Sequence, residues 1–195
     1  MMNGHVEAIG AQHPAQSAAW KATRGAGLVI AGSAFVAVCA HVSIPLWFTP
    51  VPITLQPFAV VLLGLLLEPG VALGVMVAYL AEGAAGLPVF TPGVGGVAQL
   101  LGLTGGYLMS YPVVAPLVSM LWRNGARSFT RGAVAAAIGD LLILALGATW
   151  LGIWTHISFS ASMAHAVVPF LPGDALKVCA AAGIAAGFAR VKRKA

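Results

Sequence analysis

Nine of the ten basic residues in this chain fall into three clusters, and long apolar runs separate the clusters. Lys21 and Arg24 form the first, Arg123, Arg127 and Arg131 the second, and Arg190, Lys192, Arg193 and Lys194 the third. By the positive-inside rule such clusters mark the cytoplasmic ends of membrane spans. Only 8% of the 195 residues are charged and 59% are hydrophobic. A soluble domain usually carries about 25% charged residues, so this chain has too few to cover a wetted surface. Strand-like alternation is absent, which predicts helices that satisfy their own backbone in lipid. The net charge of +5 is too dispersed for a nucleic-acid surface.

The expected fold class is an all-α membrane protein with six transmembrane helices and both termini cytoplasmic. Met1–Trp20 lacks the layout of a signal peptide. Residues 1–23 are therefore expected as a cytoplasmic tail, with one membrane domain over 24–195. The first span runs from Arg24 to about Ile44, enough to cross about 30 Å of hydrocarbon. A short second span ends at Leu67 and begins near Ile53 or Phe58. The third covers about Val71–Ala85, the fourth Val97–Trp122 and the fifth Gly132–Ile153. The sixth opens at Pro169–Lys177 (PFLPGDALK) and runs on to Arg190. Only this count leaves all three basic clusters on one side.

Two outer segments are apolar but cannot be helical. Pro45–Pro57 holds four prolines in thirteen residues. Gly86–Gly96 (GLPVFTPGVGG) is rich in glycine and proline. Apolar, irregular backbone is tolerated at a membrane when it packs on protein or lines a cavity, so these segments are expected to form a lid. Trp47 and Phe48 are expected among its lining.

The sixth span carries Asp174 and Lys177, three residues apart and so on one helix face. Ionisable groups within a span point to function. The pair either neutralises itself for insertion or faces a ligand. In the second case the carboxylate accepts N–H groups and the ammonium donates to a carbonyl or carboxylate. Asp140, near the middle of the fifth span, stands open between a structural contact and a function. Glu82 belongs to the rim or to the site. His41 is expected packed and neutral, at the first helix end or against the outer loop. Cys39 and Cys179 read as small buried hydrophobes. Small residues four apart, as at Gly27/Ala31, Gly70/Gly74 and Gly183/Gly187, favour close helix approach. The chain has no P-loop, no H-E-x-x-H and no Cys/His cluster, so no cofactor or metal is expected.

Four stretches carry a resemblance. They are SIPLWFTPVPITLQPFAVVLLGLLL (Ser43–Leu67), YLAEGAAGLPVFTPGVGG (Tyr79–Gly96), LLGLTGGYLMSYP (Leu100–Pro112) and PFLPGDALK (Pro169–Lys177). In this order they resemble the biotin-binding BioY family, the S component of energy-coupling-factor vitamin transporters. The turn Glu68-Pro69-Gly70 and Leu103 depart from what its members often show. The resemblance implies biotin capture from outside a bacterial cytoplasmic membrane, with no enzymatic activity. It implies pocket residues Thr54, Gln56, Gly93, Gly95, Gly96, Thr104, Tyr107, Asp174 and Lys177. It also implies partners: membrane lipid, a transmembrane coupling subunit and a pair of ABC ATPases. In biotin the ureido ring offers N–H donors to Asp174, leaving Lys177 for the ureido oxygen or the carboxylate. Alternatives are an S component for thiamine or riboflavin, a structural subunit, and an intramembrane enzyme pairing Asp140 with Asp174. The VPITLQ and TGGY segments oppose another vitamin, and a difference in depth opposes the aspartyl pair.

Overall fold

The computed structural model describes residues 14–194. The elements in order are α1 (Pro14–His41), β1 (Ser43–Ile44), β2 (Ile53–Thr54), α2 (Gln56–Leu66), α3 (Pro69–Ala84), α4 (Val97–Leu100), α5 (Gly105–Arg123), α6 (Phe129–Thr155), α7 (Phe159–Ala166) and α8 (Leu171–Lys194). α1, α2, α3, α5, α6 and α8 pack into one bundle, with α5 against α6 its most extensive contact. Ala22–His41, Phe129–Thr155 and Leu171–Arg193 are long and apolar enough to cross a membrane. α2 and α3 are apolar but shorter. The 11 residues of α2 rise roughly 16 Å at 1.5 Å per residue.

Helix boundaries differ from the sequence expectation at four places. α1 starts at Pro14 and passes Arg24 without a break, so the tail boundary at residue 23 leaves no mark in the backbone. Residues 1–13, with His5 and His13, lie outside the described residues. The second span starts at Gln56, because Ile53 and Thr54 pair with Ile44 and Ser43 as a two-strand ribbon. This ribbon closes the proline-rich loop at its base. The stretch between the fifth and sixth expected spans, Trp154–Val168, contains α7, whose first turn is capped by Ser158 accepting from the Ala161 N–H.

The fourth span is broken. α4 ends at Leu100, and α5 begins only at Gly105. A break inside an apolar bundle strands carbonyl oxygens that must find donors. Two indoles from α6 supply them. Trp150 Nε1 donates to Gly102 O at 2.8 Å and Trp154 Nε1 to Leu101 O at 2.6 Å. Gly106 lets α6 come this close, since a Cβ there would run into the Cβ of Trp150. The break turns Thr104 and Tyr107 toward the bundle interior.

At the opposite end the chain leaves α2 through Leu67 and Glu68. The Leu67 carbonyl accepts from Ser119 Oγ at 2.6 Å and from Arg123 Nε at 3.3 Å. Between the ends the core is tightly interlocked. Gly74 of α3 lies against Val29 of α1, and Gly147 of α6 against the Tyr107 ring. Gly27, Gly70, Gly183 and Gly187 instead face open space. Cys39 is buried as expected, whereas Cys179 is exposed because its helix position faces out of the bundle.

A Cβ on Gly139 would overlap Val118 and stand 3.0 Å from Val114 Cγ1. Overpacking of this kind costs typically about 1–3 kcal/mol. Gly139→Leu is expected to lower the melting temperature in detergent, while Gly187→Leu leaves it unchanged.

Candidate functional site

A cavity of about 540 Å³ opens between the proline-rich segment, the first turns of α5 and α8 and the middle of α6. Its roof is Ser43, Pro45, Leu46, Thr49, Pro50, Val51 and Pro52. One wall carries Thr54, Gln56, Pro57, Thr91, Pro92, Gln99 and Thr104. The rest is Tyr107, Leu108, Tyr111, Leu144, Phe170, Asp174 and Lys177. Apolar surface with a few aimed polar groups is the usual character of a small-molecule site.

The charged corner comes from the first turns of α8. Pro172 is at home near a helix start. Asp174 follows in the first turn, where the helix dipole favours an anion. Lys177 Nζ donates to Asp174 Oδ1 at 2.8 Å. Their side chains are only 11% (Lys177) and 4% (Asp174) exposed, so the pair is largely withdrawn from solvent. Asp174 Oδ2 is buried with no hydrogen-bond partner among the described residues. The pair neutralises itself and lines the cavity.

The polar wall is a connected network. Gln56 Nε2 donates to Tyr79 Oη at 2.6 Å, and Tyr79 Oη donates to Val89 O at 3.0 Å. Thr91 Oγ1 donates to Ala40 O at 2.7 Å and lies 3.1 Å from Gln56 Oε1. Gln99 Nε2 reaches Thr104 Oγ1 at 3.3 Å. These bonds tie the end of α1, the start of α2, α3, the 86–96 segment and the α4–α5 break into one unit. On the far side, Thr49 Oγ1 donates to His165 O at 2.8 Å, joining the roof to α7. Tyr107 Oη donates to Ala166 O at 2.8 Å.

Six of the nine residues implied by the resemblance line this cavity: Thr54, Gln56, Thr104, Tyr107, Asp174 and Lys177. Gly93, Gly95 and Gly96 do not. They shape the 86–96 segment instead. Gly93 and Gly96 hold φ of 100° and 104°, where a side chain is strained. A Cβ on Gly95 would collide with the Leu87 carbonyl. The segment is anchored by Phe90, fully buried edge-on to Tyr79 at 5.4 Å.

Trp47 is another departure: it is 96% exposed, edge-on to Phe48 and outside the cavity lining. Proline and valine side chains of the same loop form the roof in its place. Thr49, Thr91, Gln99, Tyr111 and Phe170 line the cavity without having been singled out for it. All but Gln99 lie inside the resembling stretches: Thr49 in Ser43–Leu67, Thr91 in Tyr79–Gly96, Tyr111 in Leu100–Pro112 and Phe170 in Pro169–Lys177.

The remaining candidates lie off the cavity. Glu82 accepts from Ser33 Oγ at 2.8 Å, joining α3 to α1. His41 is exposed rather than packed; its Nδ1 lies 2.7 Å from Ala37 O, and its ring borders Gly93. Asp140 is 5% exposed in mid-α6. Among the described residues Asp174 Oδ1 is engaged by Lys177 and Oδ2 by none, so no aspartyl pair is assembled there.

A bundle of apolar helices roofed by an irregular segment, with a buried ion pair on its cavity wall, defines an α-helical membrane protein with a small-molecule site. Comparison with known proteins gives the family. The family model described as BioY family matches residues 12–194. The biotin transporter BioY2 of Lactococcus lactis is 32% identical over 150 residues, 77% of this chain and 81% of that protein. The probable biotin transporter BioY of Pyrococcus horikoshii is 36% identical, over 78% of this chain and 88% of its own length. The biotin transporter BioY of Thermotoga maritima is 36% identical over 78% of this chain. The crystal structure of the S-component for biotin from an ECF-type ABC transporter superposes with a TM-score of 0.81 at 26% identity. That match covers 92% of this chain and 95% of the other. The chain belongs to the BioY family.

Removing one partner of a buried ion pair typically costs about 3–5 kcal/mol, because the other charge is left uncompensated. Lys177→Met is therefore expected to lower thermal stability sharply, and adding Asp174→Leu to restore most of it. Melting of the two variants in detergent checks this.

Proposed function

We propose that this protein captures biotin at the outer face of the cytoplasmic membrane, as the substrate-binding S component of an energy-coupling-factor transporter. The observation that carries the reading is the buried Asp174–Lys177 pair on a cavity of about 540 Å³, in a chain of this family. Known ligand pockets run from about 300 to 1,000 Å³. The ureido N–H groups of biotin suit the unpartnered Asp174 oxygen, and Lys177 suits an oxygen of the guest. The apolar roof and Phe170 suit its bicyclic and alkyl parts. Thr54, Gln56, Thr104 and Tyr107 complete the binding residues, with Gly93, Gly95 and Gly96 supporting the rim through the backbone.

In this reading α1, α2, α3, α4–α5, α6 and α8 are the six spans, and both termini are cytoplasmic. Residues 1–23 form a tail and 24–195 the binding domain. The 43–54 and 86–96 segments are the outer lid, a placement supported by the basic clusters at the opposite end. A membrane coupling subunit and an ABC ATPase pair supply the energy. The open faces at Gly27 and at Gly183/Gly187 favour close docking of that subunit. Binding orders the lid, and motion of the partner then releases biotin inside. A hydrophobic-helix bundle whose relatives are named as transporters gives no support to the enzyme alternative.

Purified protein is expected to bind radiolabelled biotin, with thiamine and riboflavin failing to compete. Asp174→Asn and Lys177→Ala are each expected to weaken binding at least about tenfold, as for a lost charge-assisted hydrogen bond. Folded wild type that binds no biotin refutes the function; full affinity in both variants refutes the site alone. Topology is tested by an impermeant maleimide on intact cells, in a background lacking Cys39 and Cys179. Trp47→Cys is expected to label, and Ala195→Cys to label only after lysis.

A further inference from the structure

Most buried polar side chains facing the cavity already serve protein partners. Gln56 donates to Tyr79, Tyr107 to the Ala166 carbonyl, Thr49 to the His165 carbonyl, and Lys177 to Asp174 Oδ1. Two groups are not committed. One is Asp174 Oδ2. The other is the hydroxyl of Tyr111, a residue 2% exposed that lines the cavity. Among the described residues that hydroxyl has no hydrogen-bond partner. Its neighbour one turn earlier on the same face of α5, Tyr107, is tied off at 2.8 Å.

That hydroxyl opens onto the cavity without a protein partner, and phenylalanine would fill the same space without it. The group is explained if a ligand completes it. Tyr111 and Asp174 line the same cavity. The free Asp174 oxygen can only accept, so the guest group beside it is an N–H donor. The atom next to such an N–H in an amide or a cyclic urea is a carbonyl oxygen, which needs a donor.

We infer that Tyr111 is a specificity-determining ligand contact, its hydroxyl donating to the carbonyl oxygen of a cyclic urea whose N–H donates to Asp174 Oδ2. The assignment rests on the biotin reading above and adds which groups read the ring. Tyr111 and Asp174 then form a donor–acceptor couple matched to one edge of the urea. Replacing the carbonyl with a donor breaks that match, while altering the acidic tail leaves it intact.

The test compares full-length wild type and Tyr111→Phe in lipid nanodiscs, using biotin, biotinamide and 2-iminobiotin. Biotinamide lacks the anionic tail, and 2-iminobiotin carries a protonated imino donor in place of the ureido oxygen. The variant is expected to bind biotin and biotinamide about tenfold more weakly, as for one lost hydrogen bond, and 2-iminobiotin no more weakly than wild type does. Unchanged biotin affinity overturns the assignment. So does a loss confined to biotin, which would place Tyr111 at the acidic tail, or an equal loss for all three ligands. Ligand-free melting is expected to be unchanged or higher; a lower value overturns the inference by showing that the hydroxyl serves the protein. Wild type that binds no biotin refutes the proposed function and this assignment with it, whereas normal wild-type binding with an unaffected variant refutes only the latter.

Discussion

An ammonium and a carboxylate are held out of water on adjacent turns of α8, inside a chain with almost no other charge at that level. Two desolvated ions repay their removal from water only with good geometry and further hydrogen bonds. Here the geometry is good, at 2.8 Å, but one carboxylate oxygen has no partner. The pair is thus stable enough to stay buried and incomplete enough to favour a guest with N–H groups. The rest of the cavity serves this corner by excluding water and limiting the shape that can reach it.

The second constraint is backbone accounting. An irregular segment inside an apolar bundle must have its carbonyls and amides satisfied. The break between α4 and α5 is satisfied by Trp150 and Trp154. The 86–96 segment is satisfied by Tyr79, Gly83 and its own Phe90–Val94 bridge. In both places side chains from neighbouring helices stabilise a non-helical stretch, and that stretch presents Thr91 or Thr104 to the cavity. Helical regularity is given up where the cavity needs a wall.

Much of this was legible from the residues. The long apolar runs disclosed the helices, prolines disclosed the irregular roof, and an ion pair three residues apart disclosed the charged corner. Four things were not. The ribbon of Ser43–Ile44 with Ile53–Thr54 is too short to carry alternation. The break at Leu101–Thr104 depends on indoles some fifty residues away, which no local pattern encodes. The turn-forming role of the three glycines in the 86–96 segment was not legible, because φ freedom for a turn and room for a ligand leave the same letter in a sequence. Trp47 looked like lining because an aromatic in an apolar loop has no mark for the side it faces.

Phe90 gives the two roofing segments unequal freedom. Its ring is sunk completely into the bundle, against Gly83 and Tyr79. Burying an aromatic or aliphatic side chain of this size stabilises by about 1.5–3 kcal/mol, and swinging the 86–96 segment away forfeits all of it. The 45–52 stretch has no such plug: it is pinned by Val51, by one threonine hydroxyl and by the short ribbon at its base. The 86–96 side of the cavity is therefore the firmly anchored one, and the proline-rich side opposite is held by fewer contacts.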